Sequence, residues 1–270
     1  MSEPSSKPET VIVEREGNLA KLTLNRPAAL NAWNAQFGSE LLAAVQDLAG
    51  DPGVRAVVIT GAGRAFSSGA DLKDISGGWT TPDGRPDVYR TLTERYHPII
   101  EGIREMPKPV IAAVNGPAVG IGCSLALCSD LIVAAESSYF LLAFANIGLV
   151  PDGGSSLFLP TRVGMARATE LSMLAERLPA AKALEWGLIN RVVADAELEK
   201  EVGALAERMA DGPTRSYAGA KRQLNNWLYA RMPEQLELEA QIQGEMAASD
   251  DFLEGVIAFA EKRPARFSGA

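Results

Sequence analysis

The spacing of apolar and polar residues changes along the chain in an order that predicts its elements. Thr10–Glu16 and Leu19–Leu24 alternate apolar and polar around Glu16-Gly17-Asn18, the pattern of two strands joined by a hairpin. Asn25-Arg26-Pro27 closes the second strand. Ala32–Ala49 then carries apolar residues at helical spacing and ends at Gly50-Asp51-Pro52-Gly53. Val54–Thr60 reads as a buried strand, Ser76–Pro86 as a turn-rich mobile loop, and Tyr89–Glu105 as a helix closed by Pro107 and Pro109. Val110–Val114 is a second wholly apolar strand, broken by Asn115-Gly116-Pro117. Gly120-Ile121-Gly122 leads from there into Cys123–Cys128, expected as a buried helix. Leu131–Ala135 and Tyr139–Leu142 are further strands, Ile147–Pro160 a glycine-bearing loop, and the pattern from Ala166 is helical nearly to the end. The expected class is α/β, with the strands early and the helices late. The expected divisions are a disordered tail over 1–9, a core over 10–195 and a C-terminal helical region over 196–270.

The stretch from Val110 to Asp130 carries the first chemical signal. A strand that feeds a helix through glycines leaves backbone N–H groups unpaired at the helix start, aimed by the helix dipole. Such groups stabilise an anion, either a phosphate or an oxyanion formed during a reaction.

Composition narrows the choice. The chain has 270 residues, 47% of them apolar, and a formal net charge of −8. A chain of this size buries roughly three quarters of its unfolded surface. The acidic balance, with no Lys/Arg cluster, argues against nucleic acid, and no apolar run approaches a membrane span. Cys123 and Cys128 face different sides of one apolar helix and read as reduced core residues of a cytoplasmic protein.

Several motif readings fail on inspection. Thr60-Gly61-Ala62-Gly63 opens like a dinucleotide-binding turn, but Phe66 stands where the third glycine belongs. Tyr217 and Lys221 have dehydrogenase-like spacing, yet such pairs are frequent by chance on helices. Gly122-Cys123-Ser124 imitates a hydrolase nucleophile elbow, which needs a histidine downstream; the single histidine, His97, lies upstream and reads as structural. One histidine and two cysteines also exclude an ordinary zinc site. Catalysis is left to carboxylates and backbone dipoles.

Six stretches, in order, resemble the enoyl-CoA hydratase/isomerase (crotonase) superfamily. These are Leu24-Asn25-Arg26-Pro27 with Leu30-Asn31-Ala32, the run Ala65–Leu72, Lys108–Gly116, Gly148–Gly154, Ala183–Val193 and Glu261–Phe267. The resemblance implies a spiral of strand–strand–helix turns followed by a C-terminal helical region used in assembly, as a homotrimer or hexamer. It also implies an acyl-CoA thioester substrate, whose CoA serves in place of any separate cofactor. The thioester oxygen would sit between the amides of Ala70, after Gly69, and of Ile121, after Gly120. The superfamily has a small residue where Ile121 stands, so that side chain must point away from the thioester.

The hydratases of this superfamily use two glutamates. At the matching positions this chain has Ser124 and Phe144, which leaves ordinary hydration unsupported. Its isomerase branch carries a single acid one residue after the proline of the loop, which here is Asp152 in Pro151-Asp152-Gly153-Gly154. One carboxylate can take a proton from one carbon and return it to another, and the apolar neighbours Leu149, Val150 and Phe144 would raise its pKa. Pro-Asp-Gly is also a favourable turn sequence, so the residues alone leave both roles open. Asp71 reads as a helix N-cap and Asp130 as structural. Arg26, and Lys262 from a neighbouring subunit, are candidates for the CoA phosphates, and Trp79 either lines the acyl pocket or anchors its loop. The expected function is double-bond isomerisation of an acyl-CoA. The alternatives are a hydratase with a non-standard acid and a non-catalytic CoA-ester-binding subunit.

Overall fold

A computed structural model of the chain describes residues 9–74 and 78–270. The expected disordered tail therefore falls almost entirely outside the described residues, as do Ser76 and Gly77 of the expected mobile loop.

The predicted hairpin is β1 (Val11–Glu16) paired antiparallel with β2 (Leu19–Leu24). Alternation decides its faces: Ala20, Leu22 and Leu24 are buried, and the residues between them are half-exposed. A 3₁₀ turn leads to α1 (Ala35–Gly50), whose first turn is capped by Asn34 Oδ1 accepting the Phe37 N–H at 2.9 Å. β3 (Ala56–Gly61) follows. Next, α2 (Val88–Thr91) runs through a single π turn into α3 (His97–Glu105). The following strand–helix units are β4 (Val110–Val114), β5 (Ala118–Val119), α4 (Ile121–Leu127), β6 (Leu131–Ala135) and β7 (Tyr139–Leu141). After them come α5 (Ser155–Val163), α6 (Met165–Leu174), β8 (Leu178–Pro179), α7 (Ala180–Glu185) and β9 (Arg191–Val193). The C-terminal helices are α8 (Leu198–Asp211), α9 (Thr214–Leu228), α10 (Met232–Ala247) and α11 (Asp250–Glu261).

From β4 to β7 successive strands alternate between two sheets, as the expected spiral requires. β1-β2-β3-β4-β6-β9 form a six-stranded sheet, parallel except for the first pair, and β5-β7-β8 form a three-stranded one. β4 is buried at all five positions because both faces of the large sheet are covered. The face that carries Val57, Ile59 and Ala112 packs with α1, α3 and α4. The other, with Val58, Ile111 and Val133, packs against Leu198, Val202 and Leu205 of α8.

Three expectations are corrected. Ile147–Pro160 is not all loop, because α5 begins at Ser155 and tolerates Pro160 inside it. The region after Ala166 is interrupted by β8 and β9, short strands whose pairing partners lie far back in the chain. The central helix starts at Ile121 rather than Cys123, so the glycine turn is its cap.

Asp130 is structural. It accepts from Arg104 Nη1 at 3.1 Å, Lys221 Nζ at 2.9 Å and the Val110 N–H at 2.9 Å, tying α3 and α9 to the start of β4. Lys221 is committed there and is not half of a dehydrogenase pair.

Candidate functional site

The two amides singled out by their glycines lie where two segments of chain meet. Residues 69–71 run alongside Trp33: its N–H donates to Gly69 O at 2.8 Å and the Asp71 N–H donates to Trp33 O at 3.0 Å. In that ladder the groups of Ala70 face the opposite side. On the flank, Ser67 bridges to Ala118 of β5, with the Val119 N–H donating to Ser67 O at 2.9 Å. The contact is close because both crossing residues are glycine. A Cβ on Gly69 (φ +91°) would lie 2.9 Å from the Val119 carbonyl oxygen, and one on Gly120 (φ +54°) would lie 3.8 Å from Gly69 Cα. One residue past each glycine stands the amide of Ala70 and that of Ile121, the first of α4. Among the described residues, neither N–H donates to a protein acceptor. Two free main-chain donors on touching segments suit an oxygen that becomes negative.

Ile121 meets the condition set for it. Its side chain is buried and extends toward Gly153, where an added Cβ would come within 2.4 Å of Cδ1. Gly153 sits at φ +61°, so the loop turns tightly against the start of α4.

That loop carries Asp152, which is 5% exposed. Its Oδ2 accepts from Gln243 Nε2 at 2.7 Å, while Oδ1 is buried and unpartnered among the described residues. Burial pushes the carboxyl from an ordinary 3.8 up to about 8; the Gln243 hydrogen bond pulls it down and nearby Glu239 pushes it further up. Tyr96, from the π turn, feels Asp152 electrostatically and is itself pushed well above the usual phenol range by burial. Asp152 is therefore not a solvated turn residue bonded to its own backbone. Its carbonyl accepts from Ser124 Oγ at 2.7 Å and Ser155 Oγ at 2.8 Å, which anchors the turn and leaves the carboxyl out of it.

Two neighbours of the Asp152 loop are missed by sequence reasoning, Glu239 and Gln243 on α10. Glu239 accepts the N–H groups of Gly154 at 2.8 Å and Ser156 at 3.1 Å at the start of α5, and burial raises its carboxyl to about 7. A signal for them exists in the helical pattern. Leu236, Ala240 and Ala247 define the buried stripe of α10, and positions 239 and 243 fall on it. A glutamate and a glutamine on a buried stripe need partners.

The other expected site residues divide. Ser124 supports the Asp152 turn. Phe144 is buried with its ring 3.9 Å from where a Gly120 Cβ would be, so it lies over the amide turn. Asp71 caps no helix among the described residues: it accepts the Lys73 N–H at 3.2 Å in a turn and pairs with Arg26 Nη2 at 3.1 Å. Arg26 also donates to Ala32 O, so part of its guanidinium is engaged inside the chain. The Trp79 ring is stacked by Arg95 at 4.3 Å and Arg90 at 4.8 Å, which fits the anchoring alternative. Lys262 is exposed at the end of α11. His97 is buried, held near a pKa of about 4 by desolvation and so neutral, in keeping with a structural residue. No cluster of metal-ligating side chains occurs among the described residues.

A strand–strand–helix spiral closing around two free amides is the build of a crotonase-type enzyme. The family profile described as Enoyl-CoA hydratase/isomerase matches residues 14–270. A probable enoyl-CoA hydratase of Rhodobacter capsulatus is 44% identical over 96% of this chain and 98% of its own length. A 1,2-epoxyphenylacetyl-CoA isomerase of Escherichia coli is 38% identical over 97% and 99%. The crystal structure of an enoyl-CoA hydratase from Mycobacterium avium subsp. paratuberculosis superposes with a TM-score of 0.87 at 36% identity, covering 96% of this chain and 98% of that one. The chain belongs to the enoyl-CoA hydratase/isomerase family, enzymes that act on acyl-CoA thioesters.

Proposed function

We propose that this protein isomerises a double bond in an acyl-CoA, with Asp152 as its single acid and base. The supporting observation is the Asp152 carboxyl: buried, raised toward neutrality, with one oxygen unpartnered beside the amide turn. Ionised Asp152 takes a proton from one carbon of the acyl chain. The electron pair moves into the thioester carbonyl, and the resulting enolate oxygen is held by the Ala70 and Ile121 amides. Protonated Asp152 then returns the proton to a different carbon, and the double bond has moved. Each donor removed from such a hole costs about 10²–10³ in rate. The substrate is a thioester of CoA, with Phe144 against the acyl group and Lys262 of a neighbouring subunit toward the CoA phosphates. The protein works in the cytoplasm as a trimer or hexamer, its assembly surface including the exposed Leu224, Trp227 and Phe259 of the C-terminal helices.

A second reading, hydration, is favoured by the name of the 44% identical relative. Against it, Ser124 and Phe144 occupy the two glutamate positions, and Glu239 is already bonded to two backbone amides.

Solvent deuterium exchange at the α and γ carbons of a 3-enoyl-CoA separates these readings. Isomerisation predicts exchange that drops by about 10²–10⁴-fold in Asp152→Asn and only modestly in Ser124→Ala. Exchange unchanged in Asp152→Asn ends the assignment. Water addition to a 2-enoyl-CoA at comparable rates supports the hydratase, and tight binding without turnover supports a binding subunit.

A further inference from the structure

Asp152 has two carboxyl oxygens in unequal surroundings, and the inequality is imposed by one side chain. Gln243 is fully buried on α10. A glutamine amide can be placed either way round, but here its own neighbours decide. Gln243 Oε1 accepts the Val150 N–H at 3.2 Å, and a backbone N–H offers nothing to an NH₂ group. The amide is therefore oriented with Nε2 toward Asp152 Oδ2, at 2.7 Å. That oxygen faces a donor whether Asp152 is ionised or protonated, so a proton carried by the carboxyl resides on Oδ1. One turn earlier on the same face of α10, Glu239 grips the N–H groups of Gly154 and Ser156, and from the other side Ser124 holds the Asp152 carbonyl. The loop is thus pinned at both ends while, among the described residues, Gln243 alone hydrogen-bonds the carboxyl.

We propose that Gln243 is a positioning residue that makes Asp152 a one-oxygen proton shuttle, reserving Oδ2 so that Oδ1 both accepts and returns the proton. This rests on the reading of Asp152 as acid and base. A shuttle confined to one oxygen delivers the proton to the face of the acyl chain from which it came. It also keeps the ionised form accessible in an apolar pocket, because the amide bonds the charged carboxylate more strongly than the neutral acid. The titratable groups that act on Asp152 are Glu239 from α10 and Tyr96 from the π turn, and neither donates to its carboxyl.

Gln243→Met keeps the length and volume of the side chain and removes both hydrogen-bonding atoms. The expected result is a rise of about one to two pH units in the midpoint at which kcat/KM turns on with increasing pH. At pH 7 that gives an approximately ten- to hundred-fold loss that shrinks above pH 9. A merely structural role would lower activity equally at all pH, and an unshifted midpoint in folded Gln243→Met overturns the proposal. Where that variant does not fold, the wild-type enzyme labelled with ¹⁵N-glutamine supplies the test. One side-chain NH₂ pair should titrate with the midpoint seen in activity and stop doing so in Asp152→Asn. Absence of such a pair overturns the proposal equally. Deuterium exchange retained in Asp152→Asn would instead remove the underlying reading of Asp152, so the two failures are told apart.

Discussion

A carboxyl buried beside its working partners has a cost in stability with a definite sign. Asp152 titrates at about 8 when folded and at an ordinary 3.8 when the pocket is gone. Between these values the folded chain binds more protons than the unfolded one, so stability falls as pH rises from about 4 to about 8. Asp152→Asn keeps an oxygen for Gln243 and removes the ionisation. It should be more stable than the wild type at pH 8, by up to about 5 kcal/mol, and indistinguishable from it near pH 4. Denaturant titrations at the two pH values check this. Glu239, raised to about 7, adds to the wild-type slope in the same direction, and because it acts on Asp152 electrostatically the difference between the two proteins reports the Asp152 ionisation together with that coupling. Under the proposed function, that instability is the trade expected of a site tuned for proton transfer.

Among the elements, the parts of the site legible in the sequence are those whose physical demand leaves a local mark. Positions 69 and 120 are legible because a close crossing of two backbones demands residues without a Cβ, and glycine is visible in sequence. Gly69→Ala makes that demand measurable. The new methyl group would meet the Val119 carbonyl, which β5 cannot move, at a φ that disfavours any side chain. The expected effect is a loss of about 1–3 kcal/mol of stability together with at least a tenfold fall in kcat, read by thermal unfolding and by turnover. The hairpin, β3 and β4 are legible for a related reason: burial on one face or on two leaves a period in the sequence. The start of α5 is not, because Gly153, Gly154 and Pro160 all read as loop punctuation. The helix start at Ser155 is satisfied by an acceptor distant in the pattern, Glu239 taking the N–H groups of Gly154 and Ser156. Glu239 and Gln243 escape because a polar residue on an amphipathic helix is read as facing water. Recognising them requires asking which stripe of α10 is buried. Arg26 and Asp71 read as residues with separate tasks, whereas they pair with each other, and a pairing across 45 residues leaves no local mark.

Taken together, the candidate site lies at a meeting of distant parts: Ala70 and Ile121 from successive turns of the spiral, Asp152 from the loop before α5, Gln243 from a helix that packs back from the C-terminal region. The helical region expected to serve assembly thus has a second task, because α10 completes the floor of the candidate site. One property of that floor has a kinetic consequence. Asp152 Oδ1 is closed to solvent, and Phe144 lies across the glycine turn. If an acyl chain reaches Oδ1 only after the side chains over it give way, only the opened fraction of the enzyme admits ligand. Apparent affinity is then reduced by that fraction, and association saturates at the rate of opening instead of rising without limit with concentration. Stopped-flow mixing with an acyl-CoA should show a hyperbolic observed rate, and Phe144→Ala should raise its plateau several-fold. The gate, more than the amides or the carboxyl, would then set which acyl chains enter quickly enough to be turned over.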